Sequence, residues 1–273
     1  MTTWAGKAAD LLAETKRWWT TRIIDIRPGE IRIKGRPIET LIGHAGYARM
    51  VWLMLRDDEP TPAQLALLEA ALVAAVDHGP QAPSIAIARM AVTCGAPLNA
   101  AMASAINVLD GVHGGAGEQC LQLYADVLAR VNDGLELEAA VHAALDAFAA
   151  AHGKMIPGFG HRFHPVDPRS VRLLALVEDA VEAGAATGRY ARVGRLVERA
   201  LEQRTGTRIP MNIDGATAVV YGELNFAPPL ARGLFILSRS VGILAHAWEQ
   251  KQQGGRIKGP LPPAVGYTYA GDD

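Results

Sequence analysis

The sequence predicts an all-α protein with one small β-hairpin near its N-terminus. Segments rich in Ala, Leu and Val recur at helical spacing over most of the 273 residues, and clusters of Gly and Pro separate them. The alternation of apolar and polar residues that is typical of a strand is clear only within residues 24–33. The chain is long enough for one large domain or two modest ones, with a sizeable core.

The hairpin is predicted from Ile24 to Ile33. Apolar and polar residues alternate on both sides of Pro28 and Gly29. This pair suits the central positions of a type II turn, because proline fixes φ at the first position and glycine accepts the positive φ of the second.

The first helix with clear start signals follows Thr61. Thr61 can cap this helix, Pro62 suits its first turn, and Gln64 can close a capping box. Many of the later segments are apolar on more than one face, which predicts buried helices. These further helices are expected over residues 84–110, 116–131, 136–151, 170–183, 190–203, 215–222 and 229–251, and an irregular tail over Gly254–Asp273.

Composition argues against several classes of protein. The net charge is −1 and the pI is about 6.7, so no basic field favours binding to nucleic acid. We find no apolar run of the ~18–20 residues that a membrane span requires, and no basic and apolar N-terminal signal. Cys94 and Cys120 make neither a disulfide scaffold nor a zinc motif, so we expect both to be buried apolar residues of a cytoplasmic protein.

The stretch Pro157-Gly158-Phe159-Gly160-His161-Arg162 is the most informative part of the chain. Gly158 and Gly160 permit positive φ or close approach of a ligand to the backbone. A histidine on such a loop is accessible, and its ordinary pKa of about 6.5 suits proton transfer near neutral pH. Arg162 and the nearby Arg169 indicate that the ligand is an anion.

Three further polar clusters lie where helices end or begin. They contain His78 in Asp77-His78-Gly79-Pro80, His113 in His113-Gly114-Gly115-Ala116, and Asp214 in Asn212-Ile213-Asp214-Gly215. Two imidazoles and a carboxylate, brought together, can move protons beside a carbonyl group. Bidentate binding of carboxylates is predicted for the arginines 162, 169, 239 and 256.

Each cluster also has a structural interpretation. Asp214 can be a helix N-cap, and His78 can be a C-cap histidine. A metal site of His78, His113, His161 and Asp214 lacks the short ligand spacing of known motifs, so no metal is predicted. The histidines that stand in no comparable motif are His44, His142, His152, His164 and His246.

Taken in order, these motifs resemble the citrate synthase superfamily over nearly the whole chain. The similarity begins at Lys34-Gly35-Arg36-Pro37-Ile38 and ends at His246-Ala247-Trp248-Glu249-Gln250. Between them, in the family's order, stand Leu41-Ile42-Gly43, Glu59-Pro60-Thr61, Asp77-His78, His113–Ala116, Pro157–His161, Asp167-Pro168-Arg169, Asn212-Ile213-Asp214 and Leu234–Arg239.

The resemblance implies an all-α fold with two domains and an active site in the cleft. Residues 1–114 and 226–273 would form a large helical domain, and residues 115–225 a smaller, lid-like one. The family forms dimers, so a homodimer or higher homo-oligomer is expected. Neither nucleic acid nor a membrane is an expected partner.

The resemblance also implies a role for each site residue. His113 would donate a hydrogen bond to a thioester enolate, His161 would exchange a proton with the oxaloacetate carbonyl or the citryl hydroxyl, and Asp214 would be the acid or base at carbon. The tricarboxylate would be bound by His78, Arg169, Arg239 and Arg256, the last from the partner subunit. Coenzyme A would be bound by Gly158, Gly160 and Arg162. No cofactor is expected, since the coenzyme A thioester is a substrate; the partners are acyl-CoA and dicarboxylate or tricarboxylate molecules.

Within the superfamily, the chain looks most like a short citryl-CoA lyase. One helix is predicted between Thr61 and Asp77, where full-length synthases have several. Asp77-His78-Gly79-Pro80 is similar to the citryl-CoA lyase module at the C-terminus of ATP-citrate lyase. His113, however, stands where that module has phenylalanine, and here the chain follows the synthases. The alternatives are therefore a citrate or 2-methylcitrate synthase, a lyase for a related substrate such as citramalyl-CoA, and a non-catalytic acyl-CoA-binding protein.

Overall fold

The structure, a computed structural model, describes residues 4–161, 164–262 and 264–271. It is mostly helical, with one small antiparallel sheet, which confirms the predicted fold class. In chain order its elements are α1 (Trp4–Trp18), β1 (Ile24–Arg27), β2 (Glu30–Ile33), β3 (Arg36–Pro37), α2 (Tyr47–Leu55), α3 (Pro62–Ala74), α4 (Pro83–Thr93), α5 (Leu98–Ile106), α6 (Ala116–Asn132), α7 (Leu137–His152), α8 (Pro168–Glu182), α9 (Arg189–Thr205), α10 (Ile213–Glu223) and α11 (Pro228–Gln253).

The chain divides into two compact units, residues 1–65 and 66–273. In the first unit, β1 and β2 form the predicted hairpin, and Gly29 adopts a φ of +77° in its turn. The third strand, β3, was not predicted because two residues are too short to show an alternating pattern. Helices α1 and α2 also lie outside the predicted segments.

The capping box at the start of α3 is confirmed. The Thr61 N–H donates to Gln64 Oε1 at 3.0 Å, and the Gln64 N–H donates to Thr61 Oγ1 at 3.2 Å. Two of the helix's free N-terminal N–H groups are thereby satisfied by side chains of the same turn.

In the second unit, the segment predicted over residues 84–110 forms two helices, α4 and α5. The break contains Gly95, with a φ of +93°, and Pro97. Helices α4 and α5 pack with α11 around a buried apolar cluster that includes Ile85 and Ile243. The 26-residue α11 is long and apolar enough to cross a membrane by length and composition, which the sequence analysis did not predict. One of its faces packs on α4, α5 and α6.

The two cysteines differ in their environments. Cys120 is buried in α6, as expected, but Cys94 is exposed, so the prediction for Cys94 was wrong. Cys94 is the C-terminal cap of α4, so it lies where the helix ends and not on its buried face. The tail is irregular in residues 254–262 and 264–271, as predicted.

Candidate active site

The loop that carries His161 is joined to the start of α10 by backbone hydrogen bonds. Phe159 and Met211 form an isolated antiparallel bridge. The Gly160 N–H donates to the Pro210 carbonyl at 2.7 Å, and the Asn212 N–H donates to the Gly158 carbonyl at 2.9 Å. This β-bridge links the His161 loop to the helix that carries Asp214.

Gly158 and Gly215 make this close contact between the loop and α10 possible. A Cβ on Gly215 would lie 2.4 Å from the Gly158 carbonyl oxygen, and a Cβ on Gly158 would lie 2.6 Å from Cys120 Sγ. Gly158 also has a φ of +85° and Gly160 a φ of +77°, which favours glycine at both positions. Gly158, predicted to bind coenzyme A, is thus buried at the contact between the loop and α10.

Asp214 is not the N-cap of α10, so that alternative was wrong. Asn212 is the cap, and its Oδ1 accepts hydrogen bonds from the N–H groups of Asp214 at 2.9 Å and Gly215 at 3.3 Å. The Asp214 carboxyl group therefore does not cap the helix and can take part in a reaction. Burial raises its pKa, although the positive charges of Arg239 and Arg169 oppose this effect.

Asp167 fixes the guanidinium of Arg169. It is 1% exposed. Its Oδ1 accepts from Arg169 Nε at 3.0 Å, and its Oδ2 accepts from Arg169 Nη2 at 2.9 Å and from the Ile213 N–H at 3.1 Å. Burial opposes ionisation of Asp167, but these hydrogen bonds and the charge of Arg169 outweigh it, so its pKa is lowered. We assigned Asp167 no role from the sequence, although an Asp-Pro pair at a helix start signals the N-cap that it forms.

The positive charge of Arg239 affects the pKa values of other residues of the site. Its side chain extends from α11, is almost fully buried, and donates from Nε to the Ala75 carbonyl at 3.1 Å. Burial lowers its pKa, and the negative charge of Asp214 acts against this. The positive charge of Arg239 in turn lowers the pKa of His78 and of His113, in both cases after the larger effect of burial.

His78 and His161 lie next to each other, with ring centroids 6.1 Å apart. Because α3 ends at Ala74, His78 is not a C-cap residue, and that alternative was wrong. Burial is the main cause that lowers the pKa of each imidazole, which favours the neutral form of both rings. Asp167 opposes the lowering at His161.

The orientation of the two proposed catalytic imidazoles follows from backbone donors. The Ser84 N–H donates to His113 Nε2 at 3.2 Å, and Ser84 Oγ lies 3.0 Å from the same nitrogen. The His164 N–H donates to His161 Nδ1 at 3.2 Å. A neutral imidazole carries its proton on the nitrogen that does not accept, so His113 presents Nδ1–H and His161 presents Nε2–H.

Ser84 was missed by sequence analysis. It is fully buried in the first turn of α4 and is distant in sequence from His113, so no local pattern indicated the contact. A helix N-terminus also disfavours a positive charge, which helps to keep His113 neutral.

The described contacts do not bring Arg256 to this cluster. Arg256 is exposed in the tail, where the following Ile257 N–H donates to the Thr93 carbonyl at 3.0 Å, and no described contact joins Arg256 to His78 or Asp214. Arg162 lies outside the described residues. Within residues 4–161, 164–262 and 264–271, no three His, Cys, Asp or Glu side chains converge as metal ligands.

The chain resembles known proteins along most of its length. The family model described as "Citrate synthase, C-terminal domain" matches residues 34–260. The citrate synthase of Acidithiobacillus ferridurans is 29% identical over 78% of this chain and 53% of its own length. That of Deinococcus radiodurans is 28% identical over 97% of this chain and 69% of its own length. The chain thus spans about half the length of the first of these relatives.

Among solved structures, citryl-CoA lyase from Hydrogenobacter thermophilus has a TM-score of 0.81 and 27% identity, covering 93% of this chain and 95% of that one. ATP citrate lyase from Methanosaeta concilii in complex with (3S)-citryl-CoA has a TM-score of 0.75 and 20% identity, covering 97% of this chain and 44% of that one, and its similarity concerns the fold. Because the family model covers residues 34–260, which include His78, His113, His161, Asp214 and Arg239, the chain belongs to the citrate synthase family.

Proposed function

We propose that the chain is a citryl-CoA lyase, which cleaves (3S)-citryl-CoA to acetyl-CoA and oxaloacetate in a retro-aldol reaction. The observation that best supports this proposal is the similarity to the lyase from Hydrogenobacter thermophilus, which extends over nearly the full length of both chains. The curated synthases are instead matched over about half to two thirds of their length.

In the proposed reaction, His161 first exchanges its ring proton from Nε2 to Nδ1 and gives up the hydrogen bond from the His164 N–H. The freed Nε2 then accepts the proton of the tertiary hydroxyl group. The hydroxyl oxygen becomes the oxaloacetate carbonyl as the C–C bond breaks, and the bonding electrons pass to the thioester to form an enolate. His113 Nδ1–H donates a hydrogen bond to the enolate oxygen, and protonated Asp214 gives its proton to the enolate carbon. The burial that raises the pKa of Asp214 favours this acid form. No net proton is taken up or released.

Under the same proposal, the carboxylates of the substrate are bound by His78, Arg169 and Arg239, with Arg256 contributed by a partner subunit. Coenzyme A is bound by the loop of residues 158–162, and residues 115–225 close over the substrate and exclude water. The coenzyme A thioester is the substrate, and the reaction needs no resident cofactor.

Citrate synthase is the second candidate, and the protonation of His161 favours it. The hydrogen bond from His164 to Nδ1 leaves the ring proton on Nε2. An Nε2–H group suits donation to the carbonyl of oxaloacetate, which is the condensation direction. One transition state serves both directions, so the difference lies in whether citryl-CoA is also hydrolysed.

A coupled assay with synthetic citryl-CoA tests the proposal. Malate dehydrogenase reports oxaloacetate through NADH oxidation, and acetyl-CoA is measured in parallel. Asp214→Asn, which keeps the shape of the side chain, is expected to lose the ~10²–10⁴-fold typical of a general acid. Asp133→Asn, an exposed aspartate at the end of α6, is the matched control and should keep full activity.

Equal formation of oxaloacetate and acetyl-CoA supports the lyase. Free coenzyme A together with citrate would instead indicate a synthase. Turnover by Asp214→Asn at the wild-type rate would contradict the role of Asp214 in either enzyme. No turnover of citryl-CoA would redirect the search to other 3-hydroxy-acyl-CoA substrates.

A further inference from the structure

The backbone that leads to His78 is held by successive turns of α11. Arg239 donates to the Ala75 carbonyl at 3.1 Å, and one turn later the Gly242 N–H donates to the Val76 carbonyl at 3.2 Å. A Cβ on Gly242 would lie 2.3 Å from that carbonyl oxygen, so the helix and the loop touch through their backbones. This contact leaves little room for the loop to shift along the helix.

His246 makes the next contact of this series, one turn after Gly242. Its Nε2 lies 3.2 Å from Asp77 Oδ1, while the other carboxylate oxygen of Asp77 accepts from the Gly79 N–H at 3.1 Å. The Asp77 carboxylate therefore connects His246 of α11 to the backbone of Gly79, the residue that follows His78. Burial opposes its ionisation, but the hydrogen bonds from Gly79 and His246 outweigh this, and the pKa of Asp77 is lowered.

The ring of His246 is fixed on its other side by α4. Arg89 Nη1 lies 3.3 Å from His246 Nδ1, and Arg89 is itself held by Glu249 at 2.6 Å and Gln253 at 2.9 Å. An arginine can only donate, so Nδ1 accepts, and the ring proton is on Nε2, which faces Asp77. The His246 side chain is 19% exposed and that of Asp77 is 41% exposed, so the imidazole is the better shielded partner of this contact.

We propose that His246 is a positioning residue for His78. It donates a hydrogen bond to Asp77, Asp77 holds the turn, and the turn directs His78 towards His161 and Arg239. This orientation is independent of the reaction, whereas the statement that His78 then binds a substrate carboxylate rests on the proposed function.

The first test observes His78 directly in the ligand-free protein. The imidazole resonances of isotopically labelled histidine are recorded by NMR, and the His78 signal is assigned by its absence in His78→Gln. His246→Asn places its amide near the former Nδ1 and loses the contact with Asp77, so the His78 resonance should shift. His246→Gln reaches the former Nε2 position and should restore it. His152→Leu, an exposed histidine of α7, is the control and should leave the signal unchanged.

An unshifted His78 resonance in folded His246→Asn overturns the proposal. Folding is checked by thermal melting followed by circular dichroism. If His246→Asn does not fold, His246→Phe, which keeps the volume of the ring and lacks both nitrogens, is judged by the same criterion.

The second test measures the affinity for oxaloacetate by calorimetry. His246→Asn should weaken binding roughly tenfold, the effect of one lost hydrogen bond to a charged group, and His246→Gln should weaken it less. In a His78→Gln background, His246→Asn should have no further effect. An undiminished effect in that background would show that His246 acts elsewhere and would overturn the proposal. Failure of the wild-type protein to bind oxaloacetate would count against the proposed function, while the NMR result would still decide the positioning role.

Discussion

At the level of single residues, burial has opposite effects on the acid and on the bases of the site. It raises the pKa of Asp214, whose charged form is an anion, and it lowers the pKa values of His78, His113 and His161, whose charged forms are cations. Burial thus brings the pKa values of a carboxyl group and three imidazoles closer together, which favours proton transfer at this site.

The raised pKa of Asp214 predicts a cost in stability. At pH values between the ordinary aspartate pKa, about 3.9, and the raised value, the folded protein binds more protons than the unfolded chain, so stability falls as pH rises through this window. Asp214→Asn removes this loss and should be more stable at pH 7 by on the order of 1 kcal/mol. Urea unfolding measures the difference, which should shrink towards acid pH. Asp133→Asn, the exposed control, should change stability by less than about 0.5 kcal/mol. A less stable Asp214→Asn at pH 7 would contradict this account.

At the level of elements, the site depends on how closely helices and loops approach each other. The contact between the His161 loop and α10 has no room for a Cβ at Gly158 or Gly215. A displacement here would separate the proposed base His161 from the proposed acid Asp214, although neither residue would itself be changed.

Gly215→Ala should therefore lose activity by roughly 10²-fold, the cost typical of a misplacement of about 1 Å. Steady-state kinetics in the citryl-CoA assay measure this loss. Gly233→Ala is the matched control, because Gly233 is also helical, is exposed and has open space around its Cα. Equal activity of the two variants would show that the close contact is unimportant for catalysis.

Glu223 links two other elements. This buried carboxylate at the end of α10 takes the place of an N-cap for α9, since Gly188 has no side chain to do so. Its two oxygens accept from the N–H groups of Thr187, Gly188, Tyr190 and Ala191 and from Thr187 Oγ1.

Glu223→Gln should destabilise the protein by about 1.5–3 kcal/mol, because an amide NH₂ would face backbone donors in a buried place. The free energy of unfolding in urea measures this loss. Glu202→Gln, an exposed position on α9, should have no measurable effect. Comparable stability of the two variants would refute the capping role.

At the level of the whole molecule, the sequence predicted structure formed between neighbouring residues, but it did not predict contacts between residues distant in the chain. The turn at Gly29 and the capping box of Thr61 and Gln64 involve neighbours in the sequence, and the structure confirms them. The contact of Ser84 with His113 and that of His246 with Asp77 join residues far apart in the chain. Such contacts depend on how helices pack, which a single sequence does not specify.

The proposed role of Arg256 makes a prediction about assembly. We expect a symmetric dimer in which each Arg256 serves the site of its partner. Asp214→Asn and Arg256→Ala chains with different affinity tags would form a mixed dimer in which one of the two sites is intact. This dimer should recover about half of the wild-type activity.

The control for this experiment pairs Asp214→Asn with His113→Gln. Both residues are proposed to serve their own subunit's site, so every site in that mixed dimer carries a defect and no activity should return. No recovery with Arg256→Ala would assign Arg256 to the site of its own chain. Full activity of Arg256→Ala alone would show that it serves no site, and a monomer in light scattering would exclude the arrangement altogether.

The contacts that α11 makes through Arg239, Gly242 and His246 have a consequence for insertions and deletions. One residue added between Gly242 and His246 would rotate His246 by about 100° around the helix, away from Asp77, while leaving Arg239 in place. The spacing between these residues is therefore under a constraint that the irregular tail beyond Lys258 does not share. Variation in chain length should be tolerated in residues 264–271 and rejected within this part of α11, even where every replaced side chain is apolar and fits a helix.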